Sequence, residues 1–137
     1  MHAHRIGPSV ADVMTEEPVT VAAEENPAQA AHLMDVHHVS ALPVVDDHGT
    51  LAGLLSQTDL MRARTTAALW QRWPTLQGRD LMTAPALTVA MDASIVDAAR
   101  TMEAEHVHRL VVTGADDQMP VGVVSVSDLV RVIGDLR

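Results

Sequence analysis

The chain contains no cysteine, which removes disulfide frameworks, thiolate metal sites and cysteine nucleophiles from consideration. Lysine is absent too, and all nine basic residues are arginine. A Schiff-base enzyme is thereby excluded. Phenylalanine and tyrosine are missing, leaving Trp70 and Trp73 as the only aromatic side chains. A bound base would therefore have to be held by aliphatic side chains and backbone groups rather than stacked between rings. No apolar run reaches the length of a membrane span, because charged or polar residues interrupt every candidate. The opening residues, MHAHRIGPSV, lack the charged-then-apolar layout of a signal peptide, so the expectation is a soluble, cytoplasmic protein with no membrane partner. Eighteen acidic residues against nine basic ones give a formal charge of −9. Such a field repels polyanions, and nucleic acid is not an expected partner.

What is present is a repeat. Displaced by 68 positions, Met14-Thr15 falls on Met82-Thr83, Thr20 to Ala22 on Thr88 to Ala90, and Ala30, Ala31 and Met34 on Ala98, Ala99 and Met102. His38, Val39, Leu42 and Val44 fall on His106, Val107, Leu110 and Val112. One inserted loop residue makes the offset 69, and Gly53, Ser56, Asp59, Leu60 and Arg62 then fall on Gly122, Ser125, Asp128, Leu129 and Arg131. These are seventeen identities over forty-nine positions, and the chain is two copies of one unit.

Each copy has the same layout. A short opening turn of helix (10–14; 79–82) leads past a proline to a brief strand (19–21; 87–89). An amphipathic helix follows, introduced by Asn26-Pro27 in the first copy and by Ser94 and Asp97 in the second, both patterns that begin helices. A strand (41–45; 109–113), a polar turn, a second strand (51–56; 121–125) and a closing helix (from Thr58; from Ser127) complete the unit. The fold class is α+β: tandem β-α-β-β-α units, each with a three-stranded sheet and packed helices, related by a pseudo-twofold axis. About sixty residues in this form bury little surface alone, so the copies are expected to need each other. The expected boundaries are 8–64 and 76–135. Residues 65–75 form a linker and an extension of the first closing helix that stops near Pro74. Trp70 and Trp73 share one face of that extension, where they would cover a core edge or a subunit contact.

The chemistry concentrates in two strings, GLLSQTDL (53–60) and GVVSVSDL (122–129). Helix capping explains part of them: Ser56 or Ser125 as N-cap, with Asp59 or Asp128 three residues on, satisfies free amides and complements the helix dipole. Two features suggest more. A glycine before the apolar pair permits close backbone approach in both copies, and a second hydroxyl, Thr58 or Ser127, exceeds what a cap requires. A helix N-terminus lined with hydroxyls can seat a phosphate, and an adjacent carboxylate can accept ribose hydroxyls. The histidines at 37–38 and at 106 and 108 lack the partners of a metal site. His38 and His106 instead follow helices, where a protonated imidazole would complement the C-terminal dipole. His2 and His4 carry little information.

These strings, together with VMT (13–15), LMT (81–83), HVSALPVVD (38–46) and HVHRLVV (106–112), resemble the CBS domain, the module named after cystathionine β-synthase. The pair resembles a Bateman module, here standing alone. The resemblance implies that Asp59 and Asp128 accept ribose hydroxyls, and that Ser56, Thr58, Ser125 and Ser127 meet ribose or phosphate. It implies that the start of the middle strand, Val39 to Leu42 with Ser40 and Ala41, and Val107 to Leu110, surrounds adenine. His108 and Arg109 match the basic residues that bind phosphate in some members, whereas Ser40 and Ala41 occupy those positions in the first copy. One phosphate-dependent site and one weaker or adenosine-only site are expected. Arg109 could alternatively be a solvated strand-end charge paired with Asp116 or Asp117.

No motif suggests turnover, and neither catalysis nor a cofactor is expected. The leading expectation is an adenine-nucleotide module, binding AMP, ADP, ATP or a related adenosyl ligand, that regulates or senses energy state. The alternative is a ligand-free structural or interaction module that regulates a partner protein. Both imply a homodimer formed through an exposed helical apolar face and an effector protein that responds.

Overall fold

The computed structural model describes residues 7–16, 18–114 and 118–135. His2, His4, Asp116 and Asp117 lie outside the described residues. The elements, in chain order, are α1 (Val10–Val13), β1 (Thr15–Glu16), β2 (Val21–Ala22), α2 (Pro27–His37), β3 (Ala41–Val45), β4 (Leu51–Ser56), α3 (Gln57–Thr65), α4 (Ala67–Gln71), α5 (Gly78–Leu81), β5 (Thr88–Ala90), α6 (Ile95–Glu105), β6 (Arg109–Thr113), β7 (Pro120–Ser125) and α7 (Val126–Asp135). A 3-10 turn, Trp73–Thr75, lies between α4 and α5. The chain divides into two compact units, Val19–Ala86 and the remainder on either side of it.

In Val19–Ala86 the sheet runs β2-β3-β4. β2 is parallel to β3, and β3 pairs antiparallel with β4 in the register Ala41↔Ser56, Leu42↔Leu55, Val44↔Gly53. Leu42, Val44 and Leu55 are fully buried and form the core with Ala30 and Met34 of α2, Ala63 of α3, and Leu76 and Leu81. The Asn26 side chain accepts the Gln29 N–H at 2.8 Å and Pro27 opens α2. Both choices use groups that a helix start leaves free.

The other unit has a four-stranded sheet, β1-β7-β6-β5, where three strands were expected. The fourth is β1, paired antiparallel with β7 (Thr15↔Val123, Glu16↔Gly122). Leu110, Val112 and Val124 are buried with Val10 of α1, Ala98 and Met102 of α6, and Leu129 of α7. In α6 the Ser94 hydroxyl accepts the Asp97 N–H at 3.1 Å, the hydroxyl half of the expected cap.

The compact units therefore cut across the sequence repeat. The opening turn of the first copy, α1, packs with the body of the second, and Val10 and Ala11 donate to the Ala93 and Met91 carbonyls at 2.8 and 2.9 Å. The opening turn of the second copy, α5, packs with the body of the first, where Gly78 and Arg79 donate to the Glu25 and Ala23 carbonyls at 2.7 and 3.0 Å. The glycines of the two strings belong to this arrangement. A Cβ on Gly53 would lie 2.6 Å from Met82 Sδ and 2.8 Å from the Thr83 carbonyl oxygen, and one on Gly122 would lie 2.5 Å from Met14 Sδ and 2.8 Å from that of Thr15. The close approach inferred from the sequence is real, but it is made to the VMT and LMT openings.

The first closing helix does not extend to Pro74. It ends at Thr65, and Thr66, at φ −103° and ψ 112°, separates α3 from the short α4. The Trp70 and Trp73 ring centroids are 5.1 Å apart. Trp73 packs against the core, while Trp70 stays partly exposed with the Arg64 guanidinium 4.7 Å above its ring, a favourable cation–π placement.

Candidate functional site

Each unit brings the same two segments together at the N-terminus of its closing helix. The Gln57 N–H donates to the Ser40 carbonyl at 2.9 Å, and the Val126 N–H donates to the His108 carbonyl at 2.8 Å. Strand register adds Ala41 opposite Ser56 and Arg109 opposite Ser125. The start of the middle strand thus lies beside the hydroxyls and carboxylate that begin α3 or α7. Ser40, Ala41, Ser56 and Asp59 gather in one unit; His108, Arg109, Ser125 and Asp128 gather in the other.

The carboxylates complete capping boxes in both places. Ser56 donates its N–H to Asp59 Oδ2 at 2.8 Å and its hydroxyl to the same oxygen at 3.0 Å, and the Asp59 N–H returns to Ser56 Oγ at 3.2 Å. In the second copy the Ser125 N–H donates to Asp128 Oδ2 at 2.8 Å and the Asp128 N–H to Ser125 Oγ at 3.2 Å. Capping, one of the two readings open from the sequence, is therefore realised. It leaves the outer carboxylate oxygen and the exposed hydroxyls of Thr58 and Ser127 as groups beyond the cap's own needs.

Those outer oxygens are not equivalent. Asp59 Oδ1 accepts from Arg62 Nη2 at 2.9 Å, and the same nitrogen donates to the Leu81 carbonyl at 3.3 Å. Asp128 Oδ1 lies 3.5 Å from Arg131 Nη1. Asp59 is only 5% exposed, whereas Asp128 is partly open. Arg62 and Arg131 are identities of the repeat, but their role is not evident from it. The available signal is spacing, because an arginine three residues after a helical aspartate shares its face.

The remaining expected residues differ in accessibility. Ala41 and Leu110 are buried; His108 is exposed, and Ser40 and Arg109 are partly exposed. Arg109 leads β6, and its expected alternative partners, Asp116 and Asp117, lie outside the described residues. His38 and His106 take the left-handed conformation at the C-caps of α2 and α6, with φ 54° and 55°, at the helix ends expected for them. Among the described residues no group of three His, Cys, Asp or Glu side chains forms a metal-binding cluster. No helix among them is long and apolar enough to cross a membrane.

A groove of about 750 Å³ runs along α6 and α7, lined mainly by apolar side chains, with His106 and His108 among its polar ones. On α7, Val126, Val130 and Ile133 are exposed, the last two by 58% and 57%. Their spacing puts them on one stripe.

Comparison with known proteins bears directly on these paired strings. A family model described as the CBS domain matches residues 10–65 and again 79–135. The CBS domain-containing protein YhcV of Bacillus subtilis is 34% identical over 128 residues, covering 88% of this chain and 82% of its own length. The homoserine O-acetyltransferase of Methanococcoides burtonii is 32% identical over 126 residues, which are 92% of this chain but 24% of that protein. The chain thus spans a minor part of that relative. Among solved structures, CBSX2, a CBS-pair protein of Arabidopsis thaliana, in complex with AMP, has a TM-score of 0.79 at 30% identity, covering 94% of this chain and 98% of that one. The CBS domain pair of protein MJ0100, in complex with 5′-methylthioadenosine and S-adenosyl-L-methionine, shares the fold with a TM-score of 0.84 at 24% identity, covering 95% and 98% of the two chains.

Proposed function

The chain belongs to the CBS domain family, and from that premise we propose that it is a regulatory module that binds an adenosine-bearing ligand, with AMP as the first candidate. The observation that carries this reading is the recurrence, in both units, of a carboxylate and two hydroxyls at a helix N-terminus beside the start of a buried strand. A vicinal diol has two donors to offer a carboxylate oxygen, and the helix N-terminus favours a phosphate. The AMP complex of CBSX2, at 30% identity, supports the adenosine assignment. In this reading Asp59 and Asp128 accept ribose hydroxyls, with Ser56, Thr58, Ser125 and Ser127 beside ribose or phosphate. Ser40, Ala41 and Leu110 flank the base, while His108 and Arg109 meet phosphate in the second copy. The module binds and signals without turning its ligand over, a role for which oxygens arranged as acceptors suffice.

Titration calorimetry with AMP tests this. Wild type should bind, Asp128→Ala should weaken binding by at least about tenfold, the effect of losing a hydrogen bond to a charged group, and absence of heat with AMP, ADP, ATP and S-adenosylmethionine would reject the proposal.

One observation favours a second reading, a partner-regulating module that works without a ligand. Among the described residues, every buried side-chain nitrogen or oxygen already has a hydrogen-bond partner, so the protein does not need a ligand to satisfy its buried polar groups. Under that reading Asp59→Ala and Asp128→Ala lower stability as lost caps, by about 0.5–2 kcal/mol, and no adenosyl ligand raises the melting temperature.

Either role includes a homodimer. The stripe of Val126, Val130 and Ile133 beside the α6–α7 groove is the face for a second copy, and an effector protein reads the assembled module. Light scattering showing a monomer at all concentrations would contradict the dimer.

A further inference from the structure

We propose that Arg62 is a specificity-determining latch that closes the Asp59 site, making it the weaker and later-filled of the two. This rests on the adenosine reading above.

The two aspartates differ in what their outer oxygens hold. In each capping box Oδ2 is committed to its own serine, so Oδ1 is the atom left to accept from a ligand. At Asp59 that atom holds Arg62 Nη2 at 2.9 Å, and Nη2 is tied a second time, at 3.3 Å, to the Leu81 carbonyl at the end of α5. One nitrogen of a side chain that is 52% exposed thus has two acceptors contributed by different elements, one of them a carboxylate side chain only 7% exposed. A diol must share Oδ1 with this guanidinium or displace it, the latter at the loss of a short charge-assisted hydrogen bond.

At Asp128 the counterpart is open. Arg131 Nη1 lies 3.5 Å away, its side chain is 68% exposed, and the carboxylate side chain retains 14% exposure. Among the described residues Arg131 has no second anchor. A contact of that length is at the edge of hydrogen bonding, and an exposed arginine without a second acceptor gives it up readily to water. The same motif at the same spacing therefore makes one closed and one open site. The open one is in the copy that also carries His108 and Arg109, while the closed one has Ser40 and Ala41. Two independent differences thus order the sites the same way. Asp59 is also the acceptor whose arginine contacts α5, the opening turn of the second copy, so moving that arginine gives up one contact to the turn.

The test is AMP calorimetry on the full chain as wild type, Arg62→Gln, Arg131→Gln and Arg62→Gln/Asp59→Ala, with circular dichroism confirming that each is folded. Wild type should show one strong site. Arg62→Gln should strengthen the second site by about tenfold, and the gain should vanish in the double variant. Arg131→Gln should change the strong, Asp128 site by less than about twofold, as expected for a pair this exposed. If Arg62→Gln unfolds the unit, Arg62→Lys carries the same test with a smaller gain, because an ammonium keeps a positive charge that can still pair with Asp59. An unchanged or weakened second site in Arg62→Gln, with wild-type binding still dependent on Asp128, overturns the latch and leaves the adenosine reading intact. No binding by any of the proteins overturns both.

Discussion

Replacing Gly53 by alanine would add one methyl group to a strand, a change that ordinarily helps. It removes backbone freedom from the unfolded chain and stabilises by about 0.4–1 kcal/mol where the native conformation accepts it. Here the new Cβ would lie 2.6 Å from Met82 Sδ and 2.8 Å from the Thr83 carbonyl oxygen. The sulfur ends a flexible chain and can turn away. The carbonyl cannot, because Thr83 and Leu54 exchange backbone hydrogen bonds of 2.9 and 3.0 Å, and moving it breaks the bridge that holds the second opening turn on β4. Overpacking of this kind costs about 1–3 kcal/mol, so a net destabilisation of about 1–2 kcal/mol is expected after the entropic gain. Urea unfolding followed by far-ultraviolet circular dichroism reads it. Gly134→Ala is the control, since nothing lies within 4 Å of a Cβ there and α7 should gain about 0.8–1.0 kcal/mol from the better helix former. Gly53→Ala/Met82→Ala should recover only part of the loss, because the carbonyl remains. A Gly53→Ala protein as stable as wild type would refute the seating of the opening turn on this glycine.

Other consequences are equally direct. His106→Val forces a β-branched side chain into the left-handed C-cap of α6 and should cost about 1–2 kcal/mol, while His106→Gly should stay within about 1 kcal/mol of wild type; thermal denaturation compares them. Ile133→Asp on the exposed stripe of α7 should weaken self-association by about 2 kcal/mol or more, seen as a shift from dimer toward monomer in light scattering, with the monomer's circular dichroism unchanged. Arg64→Ala removes the cation above Trp70 and should alter the tryptophan emission, which comes from Trp70 and Trp73 alone, with a stability change of about 0.5–1 kcal/mol.

The central strands were the most legible part of the sequence. β3, β4 and β6 have the bounds that their continuous apolar runs and flanking polar turns imply, and β7 begins one residue early at Pro120. α2 and α6 begin after the capping residues Asn26 and Ser94 that the sequence displays, while the closing helices begin at Gln57 and Val126, one residue before the expected Thr58 and Ser127. What escaped was non-local. Thr15 and Glu16 have no strand pattern of their own; they are a strand because β7 lies beside them. The exchange of opening turns has no signal in either repeat taken alone, although glycines and methionines recurring together are its trace. The break at Thr66 is equally silent, since the surrounding TTAALWQR could continue a helix by propensity, and tertiary packing decides otherwise. For the site, repeat identities single out the aspartates and hydroxyls, because a helix N-terminus needs those residue types in either reading. The inequality of the two sites is visible only in part, through Ser40-Ala41 against His108-Arg109. Its other half depends on where the Leu81 carbonyl falls relative to Arg62, a matter of three-dimensional placement.

The most direct test of the ligand assignment is a thermal melt of the purified protein with increasing AMP, alongside Asp128→Ala. A ligand at one hundred times its dissociation constant stabilises the native state by about 2.7 kcal/mol. The account predicts a rising melting temperature for wild type and a much smaller rise for the variant. An identical rise in both proteins, or none in either, would contradict the assignment of Asp128 to a nucleotide and leave it a helix cap.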